Sequence, residues 1–285
     1  MMRKVCSALL FAILTAAMGL AQQQGGYLDI TVTRVRPEKR AEFDAVCKKM
    51  VDANRRHNGD TWLALEVSYG EQNTVAFSSS RASYGDVEKG FDNFMGALSK
   101  AYGEAGAAAL FQQFNNTLAS SRGEIRERRM DLSYNFPADR AAYIQTIAKT
   151  RWIRSIIVQV RPGHGPEFEA ELKEINAASQ KSNQPGMRWV SDVTMGGSPG
   201  TYVITRLMTS LSELDQATSM KEMLGEEGYD KFQKMNAEAV TGVDYVLFRV
   251  VPELSNPPAE VIAAAPDFWN PKPLPKPATP AKPNK

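Results

Sequence analysis

Apolar positions along the chain switch between two spacings, and each switch marks an element. Residues 27–36 are rich in Ile, Val and Thr and read as a strand. Pro37 ends that ladder and suits the first turn of a helix. Phe43, Val46, Cys47 and Met50, with Asn54, then fall on one helical face, and His57-Asn58-Gly59 is a stop signal. Strands over 61–69 and 74–80 follow, joined by a hairpin turn at 70–73. Val87, Phe91, Phe94 and Leu98 mark a helix over 83–100. Leu110, Phe111, Phe114 and Leu118 mark a second helical piece over 104–120. The strand predicted over 123–133 is unusually polar for a core strand, with Glu124, Arg126 and Arg128 on one parity.

The same grammar then returns. Strands are predicted over 152–161, 187–195, 201–208 and 243–251. Helices are predicted through Phe168, Leu172 and Ile175, over 211–224 and over 226–239. Val35-Arg36-Pro37 with Glu42-Phe43 recurs as Val160-Arg161-Pro162 with Glu167-Phe168, 125 residues on. Gly103-Glu104-Ala105-Gly106 recurs as Gly225-Glu226-Glu227-Gly228, with a slipped offset that places small insertions in loops. The organisation read from this is a first unit over 22–134, a linker over 135–151 with a short helix through Tyr143 and Ile147, and a second unit over 152–252. A Pro-rich, solvated tail is read over 253–285. Each unit is strand–helix–strand–strand–helix–strand, an α+β ferredoxin-like βαββαβ arrangement. Two such sheets can pack their uncovered faces together, so the duplication supplies a fused, intramolecular pseudo-dimer.

A first strand ending in Val-Arg-Pro, a Glu-Phe shortly after it, and an extra helical piece before the last strand resemble the dimeric α/β-barrel superfamily. That group includes the antibiotic-biosynthesis-monooxygenase-like and NIPSNAP-like domains. The resemblance covers residues 27–134 and 152–253 and implies a fused α/β barrel. Its members include cofactor-independent oxygenases, haem-degrading enzymes, isomerases and proteins of no known chemistry. Haem-degrading members use an Asn, Trp and His set; Trp62 is present here, but no His falls on a helix suited to ligate iron.

Charge narrows the partners. Lys and Arg number 34 and Asp and Glu 32, interspersed. A nucleic-acid groove needs a concentrated basic face, so none is expected. Arg3 and Lys4, the apolar run over 8–17 and the small residues of Gly19-Leu20-Ala21 read as a secretory signal cleaved near Ala21. The exported chain would be periplasmic or secreted, without a membrane span. Removing Arg3 and Lys4 takes the formal charge from +2 to zero, and losing Cys6 leaves Cys47 alone, without an intramolecular disulfide. On its apolar helical stripe, Cys47 reads as a small buried hydrophobe.

Candidate chemistry is sparse. The two histidines, His57 and His164, have no ligand-spaced companions, so neither a metal nor a cofactor is expected. Strand residues alternate faces, and the candidate lining of the barrel interior is Arg34, Trp62, Glu66, Arg126 and Arg128. A slip of one residue in parity would exchange these assignments. Arginines there suit an anionic or carbonyl group, and Trp62 suits an aromatic ring. Asp29 and Arg154, equivalent in the two first strands, are a candidate ion pair across the pseudo-twofold. The leading expectation is an exported small-molecule-binding or accessory protein. The alternatives are a cofactor-independent monooxygenase or isomerase acting on a small aromatic or quinol-like substrate, and an envelope interaction module tethered by the Pro-rich tail.

Overall fold

The structure, a computed structural model, describes residues 26–270. The segment expected to be a secretory signal and the last part of the tail, 271–285, lie outside the described residues. Eight strands close into one antiparallel barrel. The first unit supplies β1 (Tyr27–Val35), β2 (Leu63–Tyr69), β3 (Thr74–Arg81) and β4 (Leu118–Arg128). The second supplies β5 (Trp152–Val160), β6 (Trp189–Met195), β7 (Thr201–Met208) and β8 (Val240–Val250). The order around the barrel is β1-β3-β2-β8-β5-β7-β6-β4. The units meet at two seams, where Leu65 to Tyr69 pairs with Val250 to Leu247 and Ile125 to Arg128 pairs with Met195 to Ser191. Full closure removes the free edges that either sheet would otherwise present.

Helices pack on the outside. In the first unit these are α1 (Arg40–Arg56) and α2 (Tyr84–Asn116). The linker carries α3 (Arg140–Lys149), and the second unit has α4 (Gly165–Lys181) and α5 (Met220–Ala239). Phe43 and Cys47 of α1 pack on Val35, Ala64 and Val75, while Phe168 and Leu172 of α4 pack on Val158, Val160 and Val190. The repeated Glu-Phe thus places one phenylalanine per unit between helix and sheet. Burial pushes the Cys47 thiol far up, which makes it an inert core group. The paired Gly-Glu-x-Gly segments are helix kinks: Gly103 and Gly225 sit at φ 72° and 73° inside α2 and α5, a backbone region open to glycine without strain. The two helical pieces predicted in the first unit are thus the two arms of α2, meeting at the non-helical Gly103. In the second, a 3-10 turn at Leu211–Leu214 precedes α5.

The strand predicted over 123–133 begins earlier, at Leu118. Leu118 continues the apolar spacing of Leu110 and Phe114, so the helical period runs past the helix's true end at Asn116. The tail boundary also needs correction. Residues 253–270 fold against the barrel, through a 3-10 turn at Pro252–Leu254, α6 (Ala259–Ala264) and α7 (Pro266–Trp269). Leu254, Val261 and Trp269 are buried there, and apolar burial outweighs the proline content. This stretch is a second copy of the linker. Ser133 Oγ donates to the Arg129 carbonyl at 2.8 Å and accepts from Val190 N at 2.9 Å. Ser255 Oγ donates to the Val251 carbonyl at 2.7 Å and accepts from Ala64 N at 2.8 Å. Each exit segment docks on the other unit: Leu132 joins the Phe168 cluster and Leu254 the Phe43 cluster. Helices α3 and α6 then pack together across one end of the barrel. No helix among the described residues is long and apolar enough to cross a membrane.

Candidate functional site

The interior face of the barrel is set by strand parity. Leu28, Ile30 and Val32 of β1, Leu63, Leu65 and Val67 of β2, and Ile153, Ser155 and Ile157 of β5 face inward. They enclose a cavity of about 730 Å³, within the roughly 300–1,000 Å³ usual for small-molecule sites. Tyr143, Ile144 and Ile147 of α3, with Pro258 and Val261, form its floor. Gly70, Glu71, Arg122, Asp244 and Tyr245 lie around the opposite end, its mouth.

One strand makes this apolar chamber charged. Arg122, Glu124, Arg126 and Arg128 alternate along the inward parity of β4. Glu124 is buried, and Arg126 donates to its Oε2 through Nε at 2.9 Å and Nη2 at 2.6 Å. Arg122 pairs with the same carboxylate from the mouth side. Burial pushes the Arg126 guanidinium down to about 10, which leaves it cationic at neutral pH but costly to keep charged. Arg128 Nη2 donates to Ser80 Oγ at 2.8 Å and to Tyr143 Oη at 2.9 Å, near the floor.

An aromatic wall stands beside this row. Trp189 of β6 lies nearly parallel to Tyr143, at 5.6 Å and 13°, and Phe136 packs on Trp189 at 4.8 Å. Two polar atoms of lining residues, Thr74 Oγ1 and Trp189 Nε1, are buried without a hydrogen-bond partner among the described residues. Such atoms are rare in native interiors, and both lie beside the cavity.

Of the five residues predicted to line the interior, the structure brings Arg126 and Arg128 together on the cavity wall. Trp62 reaches the cavity only from the margin. Its indole packs edge-on against Phe94 at 5.7 Å, and its Nε1 donates to the Leu254 carbonyl at 2.8 Å. Arg34 shares the inward parity of β1, but it lies at the strand's exposed end and pairs with Glu71 at 2.9 Å. Glu66 faces outward and is bound by Arg40 of α1. The odd residues of β2 face inward, so reading Trp62 as interior carried Glu66 to the wrong side. The Asp29–Arg154 pair does not form. Asp29 bonds Arg81 at 3.0 Å on the outer face, and Arg154 lies over the Tyr245 ring at 5.5 Å. The aromatic wall is not evident from strand parity because Phe136 and Tyr143 lie between β4 and β5, in the segment that links the two units. Alternation through Trp189, Ser191 and Val193 was the available signal for the β6 contribution.

Haem-degrading enzymes are among the members of the resembled superfamily, but the donor set of this cavity does not suit haem iron. Among the described residues, no His, Cys or Met lines the cavity. His57 ends α1 on the outside, and His164 Nδ1 lies 2.6 Å from Glu167 at the start of α4. Of the lining tyrosines, Tyr143 is engaged by Arg128 and Ser80, and Tyr245 is exposed. No group of three or more metal-ligating side chains occurs among the described residues.

No protein-family model matches the chain, and no curated protein does. Solved structures do. An anthrone oxidase-like protein aligns at 14% identity over 80% of this chain and 93% of its own, with a TM-score of 0.50. A heme-binding protein from Thermus thermophilus aligns at 13% identity over 81% and 93%, with a TM-score of 0.44. Chlorite dismutase from Candidatus Nitrospira defluvii aligns at 10% identity over 85% and 96%, with a TM-score of 0.46. Identities this low speak to fold and not to activity. The chain has the dimeric α/β-barrel fold, with both ferredoxin-like units in a single polypeptide.

Proposed function

We propose that this protein is an exported small-molecule-binding protein whose ligand occupies the barrel cavity. The observation that carries the reading is a buried guanidinium, Arg126, set into the wall of a largely apolar chamber of about 730 Å³. A charge in such surroundings is costly unless it is paired, and Glu124, its partner, also has to serve Arg122. Export is supported by the charged, apolar and small-residue segments of 1–21. Isothermal titration against a panel of small aromatic acids, alcohols and quinones tests the binding. Ser155 lines the chamber, so Ser155→Phe fills it, and the substitution is expected to abolish whatever binding the parent shows. Undiminished binding by that variant would place the ligand elsewhere. For export, N-terminal sequencing of the extracytoplasmic protein is expected to begin at Gln22.

Binding is favoured over turnover because Glu124, the carboxylate buried on the charged wall, is already held by two guanidiniums. A second reading, a cofactor-independent monooxygenase or isomerase of a small aromatic or quinol-like substrate, is favoured by one observation. The interior is a cavity and not a filled core, so a substrate can be oriented there away from water. Oxygen uptake on mixing the purified chain with a quinol would replace the first reading with this one.

A further inference from the structure

We infer that the cavity takes a planar aromatic carboxylate, its ring against Trp189 and its carboxylate meeting Arg126. This rests on the cavity being a ligand site at all, and adds the chemical class of the ligand. Three observations converge on it.

The first is charge. Glu124 is one carboxylate between Arg122 and Arg126, and Glu71 is shared by Arg122 and Arg34, so this part of the wall holds three guanidiniums against two carboxylates. Arg126 directs Nε and Nη2 to Glu124, and its Nη1 makes no hydrogen bond among the described residues. A second carboxylate on Nη1 would supply a counter-charge in a largely apolar chamber, where charge-assisted hydrogen bonds are stronger than in water.

The second is shape. Trp189 is already one layer of a stack with Tyr143, and Phe136 packs against it. The chamber around it is bounded by Leu28, Ile30 and Phe248. A flat ring adds to such a wall with little rearrangement.

The third is spacing. Arg128 hydrogen-bonds Tyr143 at the floor, and Arg126 is two residues closer to the mouth on the same face of β4. That step is roughly 7 Å of strand, about the length of a ring bearing one carboxyl group. A neutral aromatic molecule would fill the ring site but leave the Arg126 charge unanswered.

The test compares 2-naphthoate with 2-naphthalenemethanol, its uncharged analogue, by titration calorimetry on the parent chain. Naphthoate is expected to bind at least roughly tenfold more tightly, the usual worth of a charge-assisted hydrogen bond out of water. Its affinity should hold from above the pH where the ligand protonates to about pH 9, and fall as Arg126, pushed down to about 10 by burial, loses its charge. The alcohol should show no such profile. Arg126→Met should bring the two ligands to equal affinity. Glu124→Gln/Arg126→Met removes the buried pair whole and serves if the single variant is unstable. If the alcohol binds as tightly as naphthoate to the parent chain, the carboxylate inference is wrong while the cavity site stands. If neither binds, both fall.

Discussion

Arg36 and Arg161, the middle residues of the repeated Val-Arg-Pro, have a role that only the folded chain reveals. Their Nε groups donate to the Leu118 and Glu238 carbonyls, both at 3.1 Å, where the long helices give way to β4 and β8. The sequence repeats because the joint repeats. Two other arginines organise the outer surface. Arg81, nearly buried, holds Asp60 through two bonds at 2.6 and 2.7 Å and Asp29 at 3.0 Å. Arg81→Met leaves two carboxylates without their cation and should destabilise the chain by about 3–5 kcal/mol. Denaturant unfolding checks this, and Asp60→Asn in the same chain should recover part of the loss. Arg129 holds Glu169 at 2.6 Å and Asp131 at 2.9 Å, and its hydrogen bonds keep both carboxyls below their ordinary range. A carboxylate lowered in this way stabilises the fold above its unfolded-state pKa, and that contribution is lost as pH falls through the lowered value. Asp192, raised by burial, acts in the opposite sense. Arg129→Met should therefore reduce the loss of thermal stability between neutral pH and pH 3, and an unchanged acid profile would remove Arg129 from that role.

At the scale of elements, the exit segments close the barrel. Trp269 is 1% exposed, and its Nε1 donates to the Ala148 carbonyl of α3 at 3.2 Å. Phe268 lies under the Arg151 guanidinium at 3.6 Å. A solvated tail predicts no effect of Trp269→Ala, whereas the folded segment predicts a loss of about 3–5 kcal/mol, as for other buried aromatics. The melting temperature decides between them. Gly103→Ala and Gly225→Ala should each cost about 1 kcal/mol, because both positions hold positive φ. The strands and the duplication were readable because their apolar periods are regular. The exit segments were not, because 252–270 is proline-rich and its match to the linker is broken by a one-residue gap between Leu132-Ser133 and Pro137-Ala138-Asp139, against Leu254-Ser255 and Pro258-Ala259-Glu260. The candidate site was half legible for a related reason. Arg126 and Arg128 share a parity that no register choice separates, but Trp62 and Glu66 depended on a strand face that only closure of the barrel fixes.

At the scale of the molecule, the question is whether two repeated units behave as two domains. Each has a helix-covered outer cluster of its own, around Phe43 and around Phe168. The barrel interior belongs to both. Ile30, Leu65 and Ala76 of the first unit share one cluster with Ile153, Leu207 and Val250 of the second, joined by Tyr143, Ile144 and Ile147 of α3 and Val261 and Trp269 beyond β8. Neither unit can unfold without opening both seams, exposing this shared cluster and stripping an exit segment from its partner. Unfolding is therefore expected as one transition, with the calorimetric enthalpy equal to the van 't Hoff enthalpy. Two resolved transitions would show that the units fold separately and that the seams are weak. A ligand held in the cavity touches walls from both units, so it should raise that single transition as a whole. At a hundred times its dissociation constant the added stability is about 2.7 kcal/mol, a shift of roughly 5–10 °C for a chain of this size. A ligand that instead split the transition would have bound to one unit alone, outside the barrel.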